Sequence, residues 1–208
     1  MLTHHNGRKA FFDYHASTWE ESESFSENAE NLARIITRLS LRPGDRVLDV
    51  GTGTGIALPS LREKVGEDGT VVGIDLSENM LMRANGKCNT VVQGDAHNLP
   101  FPRDTFDCVF AFAVIPHLDD LTCFFGESAR ILSSGGLLVV LHLMSRKECN
   151  DFHRKAGTAV EHDMLPSGET LTGISRSSGF RSDRFEEHPG LFLWTARWED
   201  SFSDEESP

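Results

Sequence analysis

Positive charge is scarce in this chain. It carries 20 Lys and Arg against 32 Asp and Glu, a net charge of -12 over 208 residues. Nucleic-acid binding draws on a basic surface that neutralises phosphates, and no Lys/Arg cluster supplies one. Long apolar runs are missing too. The longest, 137–143, is interrupted by His142 and is far too short to cross a bilayer. The opening residues, Met1 to Lys9, are polar and include two histidines, so no secretory leader is expected. The four cysteines, Cys88, Cys108, Cys123 and Cys149, form no C-x-x-C pair. Ordinary reduced thiols and a cytoplasmic location are the expectation. The nine histidines show no H-x-x-x-H or H-E-x-x-H spacing, so no metal site is expected, although His142, His153 and His162 could converge with Asp163 or Glu161. No internal repeat is visible, and the length suits one domain with a well-formed core.

What is present is an alternation of short apolar runs with longer amphipathic stretches. Residues 45–50, 70–75, 90–93, 106–112 and 137–143 read as strands. They are β-branched or otherwise apolar and nearly continuous, as strands of a parallel sheet are when both faces are covered. Helices are expected over 26–40, 54–64, 77–85, 119–132, 146–157 and 167–179. The Ser133-Ser-Gly-Gly136 breaker ends the fourth, and Gly179 caps the last. The runs 180–187 and 191–198, joined by His188-Pro-Gly190, predict a closing antiparallel hairpin. The fold class is therefore α/β, a mostly parallel sheet with helices on both faces. Residues 1–7 and the acidic tail 201–208 are expected to be disordered.

The segment that carries chemistry is Val47-Leu-Asp-Val-Gly-Thr-Gly-Thr-Gly55. A buried strand runs into three glycines at alternate positions, where bare main chain can turn sharply and lie against a ligand. The second strand ends in Asp75, 20 residues after Gly55, placed to accept hydrogen bonds from ribose hydroxyls. The third runs into Gly94-Asp95-Ala96, where an acid can take the exocyclic amine of adenine. Three acids, Asp49, Asp75 and Asp95, thus stand at the carboxyl ends of consecutive strands, where open α/β sheets bind ligands. The plainer reading makes the glycines a turn and the acids helix caps.

These residues, with Gly73-Ile-Asp-Leu-Ser77, Leu99-Pro-Phe101, Phe106-Asp107 and 132–137, resemble class I S-adenosylmethionine (SAM)-dependent methyltransferases. Within them the chain resembles the small-molecule branch related to the ubiquinone/menaquinone C-methyltransferases, over roughly residues 25–143. The resemblance implies a Rossmann-like seven-stranded sheet whose last hairpin is antiparallel. It implies Gly51, Thr52, Gly53 and Gly55 around the methionine part of SAM, and Asp75 on the ribose. Leu76 and Met80 would pack near the adenine, and Asp95 and Ala96 would contact it. Asp49 would lie near the ligand's amino group, directly or through water, and Phe112 would belong to the same site. A dinucleotide is disfavoured. The glycines fall as G-x-G-x-G rather than G-x-G-x-x-G, and Asp49 would repel a pyrophosphate.

For the acceptor, His117 follows the fourth strand, in register with a histidine common in the related sequences. It is a candidate base or orienting group, or else a histidine that shapes its loop. His142, in an otherwise apolar strand, is the second candidate. Asn150 and His153 or Arg154 share a helical face, with a solvated helix holding one structural histidine as the simpler reading. Phe11, His15 and Trp19 recur at helical spacing. The family often has a lid in this position, so residues 1–25 are expected to close over the ligands, with Tyr14 or His15 reaching them. The expected function is methyl transfer to a small-molecule acceptor by a monomer or homodimer. A SAM-binding regulatory or partner subunit is the alternative.

Overall fold

The computed structural model describes residues 2–22, 24–156 and 160–199, with side chains from residue 7 onward. The acidic tail expected over 201–208 lies outside the described residues. Seven strands, β1 (Arg46–Val50), β2 (Thr70–Asp75), β3 (Thr90–Gln93), β4 (Phe106–Phe112), β5 (Leu132–His142), β6 (Phe180–His188) and β7 (Leu191–Trp198), form one sheet in the order β3-β2-β1-β4-β5-β7-β6. The first five strands pair in parallel, and β7 is antiparallel to both β5 and β6. This is the Rossmann-like sheet with a closing hairpin that the sequence predicts.

Alternate strand residues face opposite sides, and each side has its own apolar layer. Leu48, Val109, Val140 and Trp194 face the layer that holds Phe124, Phe125 and Leu171. These come from α5 (Leu121–Ile131) and α7 (Gly168–Arg176), and Cys149 of α6 (Arg146–Ala156) joins them. Val47, Val71, Phe110 and Val139 face the other layer. There they meet Leu32 and Ile36 of α2 (Phe25–Thr37), Leu58, Leu61 and Val65 of α3 (Leu58–Val65), and Ala84 of α4 (Glu78–Ala84). Coverage on both sides is why the strands read as continuous apolar runs. Three helices start on hydrogen-bonded caps: Ser77 Oγ accepts from Met80 N at 3.1 Å, Asp120 Oδ1 from Cys123 N at 2.9 Å, and Ser167 Oγ from Thr170 N at 3.1 Å.

Three boundaries differ from the sequence expectation. The first helix, α1 (Leu2–His15), runs through residues 2–7, where the sequence predicts disorder, into the expected helical stripe. Its apolar stripe and its ion pairs, described below, hold it against the domain. α3 begins at Leu58 instead of 54, because Gly51, Gly53 and Gly55 all take positive φ (67°, 55° and 84°) and keep the chain out of the helix until Pro59 can enter its first turn. β5 begins directly after α5 at Leu132, so the Ser133–Gly136 segment lies inside the strand. Gly135, at φ 75°, and a register shift between Phe106 and Cys108 absorb the irregularity.

The aromatic layer under α5 sets a stability test. Phe125 is fully buried, with ring centroids 5.5 Å from Phe124, 6.0 Å from Phe180 and 5.9 Å from Trp194. Phe125→Ala should lower unfolding free energy by about 3–5 kcal/mol in urea titration, since the surrounding rings collapse only in part. A loss below about 1 kcal/mol would show that this layer is not a closely packed one.

Candidate functional site

Strand order reverses between β1 and β4, and the carboxyl ends of these two strands open onto a cavity of about 700 Å³. One half is built by the glycine loop after β1. The loop folds back onto the end of β2: Gly51 N and Thr52 N both donate to Ile74 O, at 2.8 and 3.0 Å. Gly53 N donates to Asp75 Oδ2 at 2.8 Å, and Ser77 N donates to Asp75 Oδ1 at 2.8 Å. Asp75 is thus turned by main-chain amides so that its side chain lines the cavity. Burial raises the Asp75 pKa, with the Ser77 and Gly53 amides opposing that shift. A Cβ at Gly51 would meet Val114 Cγ2 at 2.4 Å, whereas one at Gly53 would stand in open space. Gly51 is therefore required by packing as well as by φ.

Of the residues singled out from sequence, Gly51, Thr52, Gly53, Asp75, Leu76, Met80, Asp95, Ala96 and Phe112 line this cavity, as do His117 and His142. Asp95 Oδ1 accepts from His97 N at 2.9 Å and lies 2.7 Å from His97 Nδ1. Three expected residues do not line it. Tyr14 is 80% exposed on the outer side of α1, because Phe11, Phe12 and His15 take the inner side. Gly55 packs helices: a Cβ there would meet Leu58 Cδ1 at 2.7 Å and Ala84 Cβ at 3.1 Å. Asp49 lies behind the loop, where Thr52 Oγ1 donates to its Oδ2 at 2.6 Å. Burial pushes the Asp49 carboxyl up to about 7, the Thr52 bond opposes this, and the Asp75 charge adds to it.

The other half of the cavity is a wall of histidines. His117 Nδ1 stands 2.6 Å from Asp163 Oδ2, and His153 Nδ1 donates to the Asp163 carbonyl at 2.7 Å. The His117 and His153 ring centroids are 5.1 Å apart. His142 Nδ1 is 3.9 Å from Cys149 Sγ, and its buried Nε2 has no hydrogen-bond partner among the described residues. Burial, then the neighbouring His117 and His153, pull His142 down to about 3, so it stays neutral. On α6, Cys149, Asn150 and His153 are all buried, which corrects the solvated-helix reading. Asn150 pairs with the Leu165 main chain in both directions, at 2.7 and 3.2 Å, while Arg154 turns outward to Asp151.

α1 and the turn after it close the remaining side, through Phe11, Phe12, His15 and Trp19. Phe12 packs edge-on against His117, with centroids 5.2 Å apart. Polar contacts fasten this segment at both ends of the cavity. On the histidine side, Arg8 Nη2 donates to Asp163 Oδ1 at 2.7 Å, and Arg8 also pairs with Asp119. On the glycine-loop side, Ser77 Oγ donates to Asp13 at 2.5 Å, and Lys87 bridges Glu20 and the Thr54 carbonyl at 2.7 and 2.8 Å. Sequence reasoning missed Arg8 and saw Asp163 only as a metal ligand. The signal was available for Arg8, since residues 8, 11, 12 and 15 share one helical face. None was available for Asp163, which lies in an irregular segment.

Comparison with known proteins agrees with this geometry. A family described as a methyltransferase domain matches residues 48–140. The chain is 32% identical to a ubiquinone/menaquinone biosynthesis C-methyltransferase of Vibrio parahaemolyticus, over 69% of this chain and 67% of that protein. It is 32% identical to the enzyme of the same name from Teredinibacter turnerae, over 72% of this chain and 63% of that one. It therefore spans a little under two thirds of that relative's length. A 27-O-demethylrifamycin SV methyltransferase of Amycolatopsis mediterranei is 35% identical over 61% of this chain and 49% of its own. Among solved structures, a SAM-dependent methyltransferase from Aquifex aeolicus superposes with a TM-score of 0.70 at 26% identity, over 89% of this chain and 97% of that one.

The unpaired His142 makes a prediction about acid stability. Its folded pKa, about 3, lies below its ordinary value of 6.5, so between these values the unfolded chain binds a proton that the folded chain does not. Stability contributed by the neutral ring is complete above this window and falls as pH falls through it, by up to about 1.4 kcal/mol per pH unit. Urea midpoints measured across this window should fall more steeply for the wild type than for His142→Leu. Parallel profiles for the two proteins would contradict the assignment.

Proposed function

The chain belongs to the class I SAM-dependent methyltransferases related to the ubiquinone/menaquinone C-methyltransferases, and on that premise we propose that it binds SAM and transfers its methyl group to a small-molecule acceptor. The observation that carries this reading is the glycine loop hydrogen-bonded to β2, with Asp75 oriented by two amides beside open space at Gly53. That arrangement fits a nucleoside ribose at Asp75 and an amino-acid moiety along Gly51, Thr52 and Gly53. Leu76, Met80 and Ala96 offer apolar contact to an adenine, and Asp95 offers an acceptor for its amine. Asp49 does not touch the ligand in this reading. It acts through Thr52, whose hydroxyl it holds.

When bound, SAM supplies a methyl group already activated on a sulfonium, which leaves the protein chiefly the tasks of alignment and proton removal. The histidine wall meets both. His117 serves as base toward the acceptor. His142, neutral and short of a partner, serves as a hydrogen-bonding contact. The segment 1–25 acts as a lid, through Phe11, Phe12, His15 and Trp19, and excludes water from the reacting groups. The acidic balance favours an acceptor other than nucleic acid. No described helix is long and apolar enough to cross a membrane, and we place the protein in the cytoplasm as a monomer or homodimer.

Asp75→Ala should weaken S-adenosylhomocysteine binding at least about tenfold by isothermal titration, or about 1.4 kcal/mol, with the far-ultraviolet circular dichroism of the wild type retained. Unchanged affinity would refute the cofactor assignment. Turnover of SAM with any member of a small-molecule acceptor pool supports the enzyme. Binding without turnover across the pool favours a regulatory or partner subunit.

A further inference from the structure

Three histidines line the acceptor half of the cavity, and their surroundings separate them. His142 has only a thiol beside it and is held neutral by burial. His153 directs Nδ1 to a main-chain carbonyl, and burial lowers its pKa. Of the three, His117 alone faces a carboxylate, that of Asp163 at 2.6 Å. Asp163 does not line the cavity. Its side chain is 2% exposed and lies behind the histidines, so its effect reaches the ligand only through another residue.

Asp163 is held from several sides. Its amide donates to Val160 O at 3.0 Å, its carbonyl accepts from His153, and its carboxylate accepts from both His117 and Arg8. Burial alone would raise the carboxyl pKa. The hydrogen bonds from His117 and Arg8 outweigh it and keep the group below the ordinary carboxylate value. An ionised carboxylate is an acceptor only, so the ring nitrogen facing it must carry the proton. His117 Nδ1–H then donates to Asp163, which leaves Nε2 with a lone pair on the cavity side of the ring. The described residues offer Nε2 no hydrogen-bond partner.

We propose that Asp163 is the positioning residue of the acceptor site: its carboxylate, clamped by Arg8 of α1, fixes His117 as the Nδ1–H tautomer and so presents Nε2 to the acceptor as the base. This rests on the methyltransferase reading above. In the step it serves, Nε2 takes the proton of the acceptor's O–H, N–H or C–H group. The electron pair left on that atom forms the new bond to the methyl carbon, and the carbon–sulfur pair departs with sulfur. The positive charge that appears on the imidazole lies beside Asp163, in a partly water-excluded site where the carboxylate stabilises it strongly. Arg8 gives the device a second property. Because it comes from α1 and pairs with Asp163 and with Asp119, two residues beyond His117, the base is fully oriented only when α1 is seated.

The test uses the full chain labelled with nitrogen-15 and saturated with S-adenosylhomocysteine, at a pH above the ordinary histidine range. Long-range proton–nitrogen spectra report which ring nitrogen of each histidine carries the proton, and His117→Gln assigns the His117 signals. The wild type should show His117 protonated at Nδ1. In Asp163→Asn the amide can donate to Nδ1, so the proton should move to Nε2 while the spectrum of His142 stays unchanged. An Nε2–H tautomer in the wild type overturns the proposal even if the variant does not fold, and so does an unchanged tautomer in a folded variant. Titration of S-adenosylhomocysteine on the same samples separates the two readings. A wild type that does not bind it refutes the methyltransferase reading and with it the role of Nε2. Binding accompanied by the wrong tautomer refutes the role of Asp163 alone.

Discussion

The site depends on how the first turn after β1 is fastened to the end of β2. Two consecutive amides, Gly51 and Thr52, share the Ile74 carbonyl, and the next, Gly53, reaches Asp75. Only positive φ at Gly51 and Gly53 allows three successive amides to point back across the sheet. The same fold of the chain buries Asp49 under Thr52 and turns Asp75 toward the cavity. One backbone conformation thus sets the positions of both acids. It also sets where α3 can begin, and therefore which residues of α3 reach the sheet.

Charge in and around the cavity is arranged in closed pairs. Arg8 lies against Asp163 and Asp119, Lys9 against Asp13, and Lys87 against Glu20. The cationic side chains that line the space, Arg8 and Lys9, are thereby paired with acids, and much of the remaining wall is aromatic, aliphatic or imidazole. On the glycine-loop side Asp75 and Asp95 line the space, while Asp49 lies behind the loop.

How much of this was legible in the sequence follows from periodicity and range. The inner strands were readable because both sides of the sheet are covered, which makes each of them a nearly continuous apolar run. The cavity lining on the glycine-loop side was readable because its residues follow strand ends at short, fixed distances: Gly51 after β1, Asp75 ending β2, Asp95 after β3. The acceptor half was not. Asp163 stands 46 residues from His117 and 155 from Arg8, in a segment with no periodic pattern to mark it. Tyr14 was misjudged for a different reason: the helical face holding Phe11 and His15, already visible in their spacing, excludes position 14. The glycine at 55 was read as a ligand position, yet its lack of a side chain serves the approach of Leu58 and Ala84.

The energetics of α1 show which contacts hold it in place. Ordering a helix of 14 residues costs about 1–2 kcal/mol per residue in backbone entropy. Its ion pairs return little where they are solvated: Lys9 and Asp13 are 35% and 23% exposed, and such pairs contribute about 0–1 kcal/mol each. The Arg8–Asp163 pair is deeper, but desolvation takes back much of its attraction. The hydrogen bonds within the helix and the burial of Phe11, Phe12 and His15 must carry the remainder, and those three side chains face the cavity instead of a packed layer. Their apolar contact is incomplete until a ligand fills the space. The seated helix brings Arg8 to Asp163 and covers the cavity with the same set of contacts.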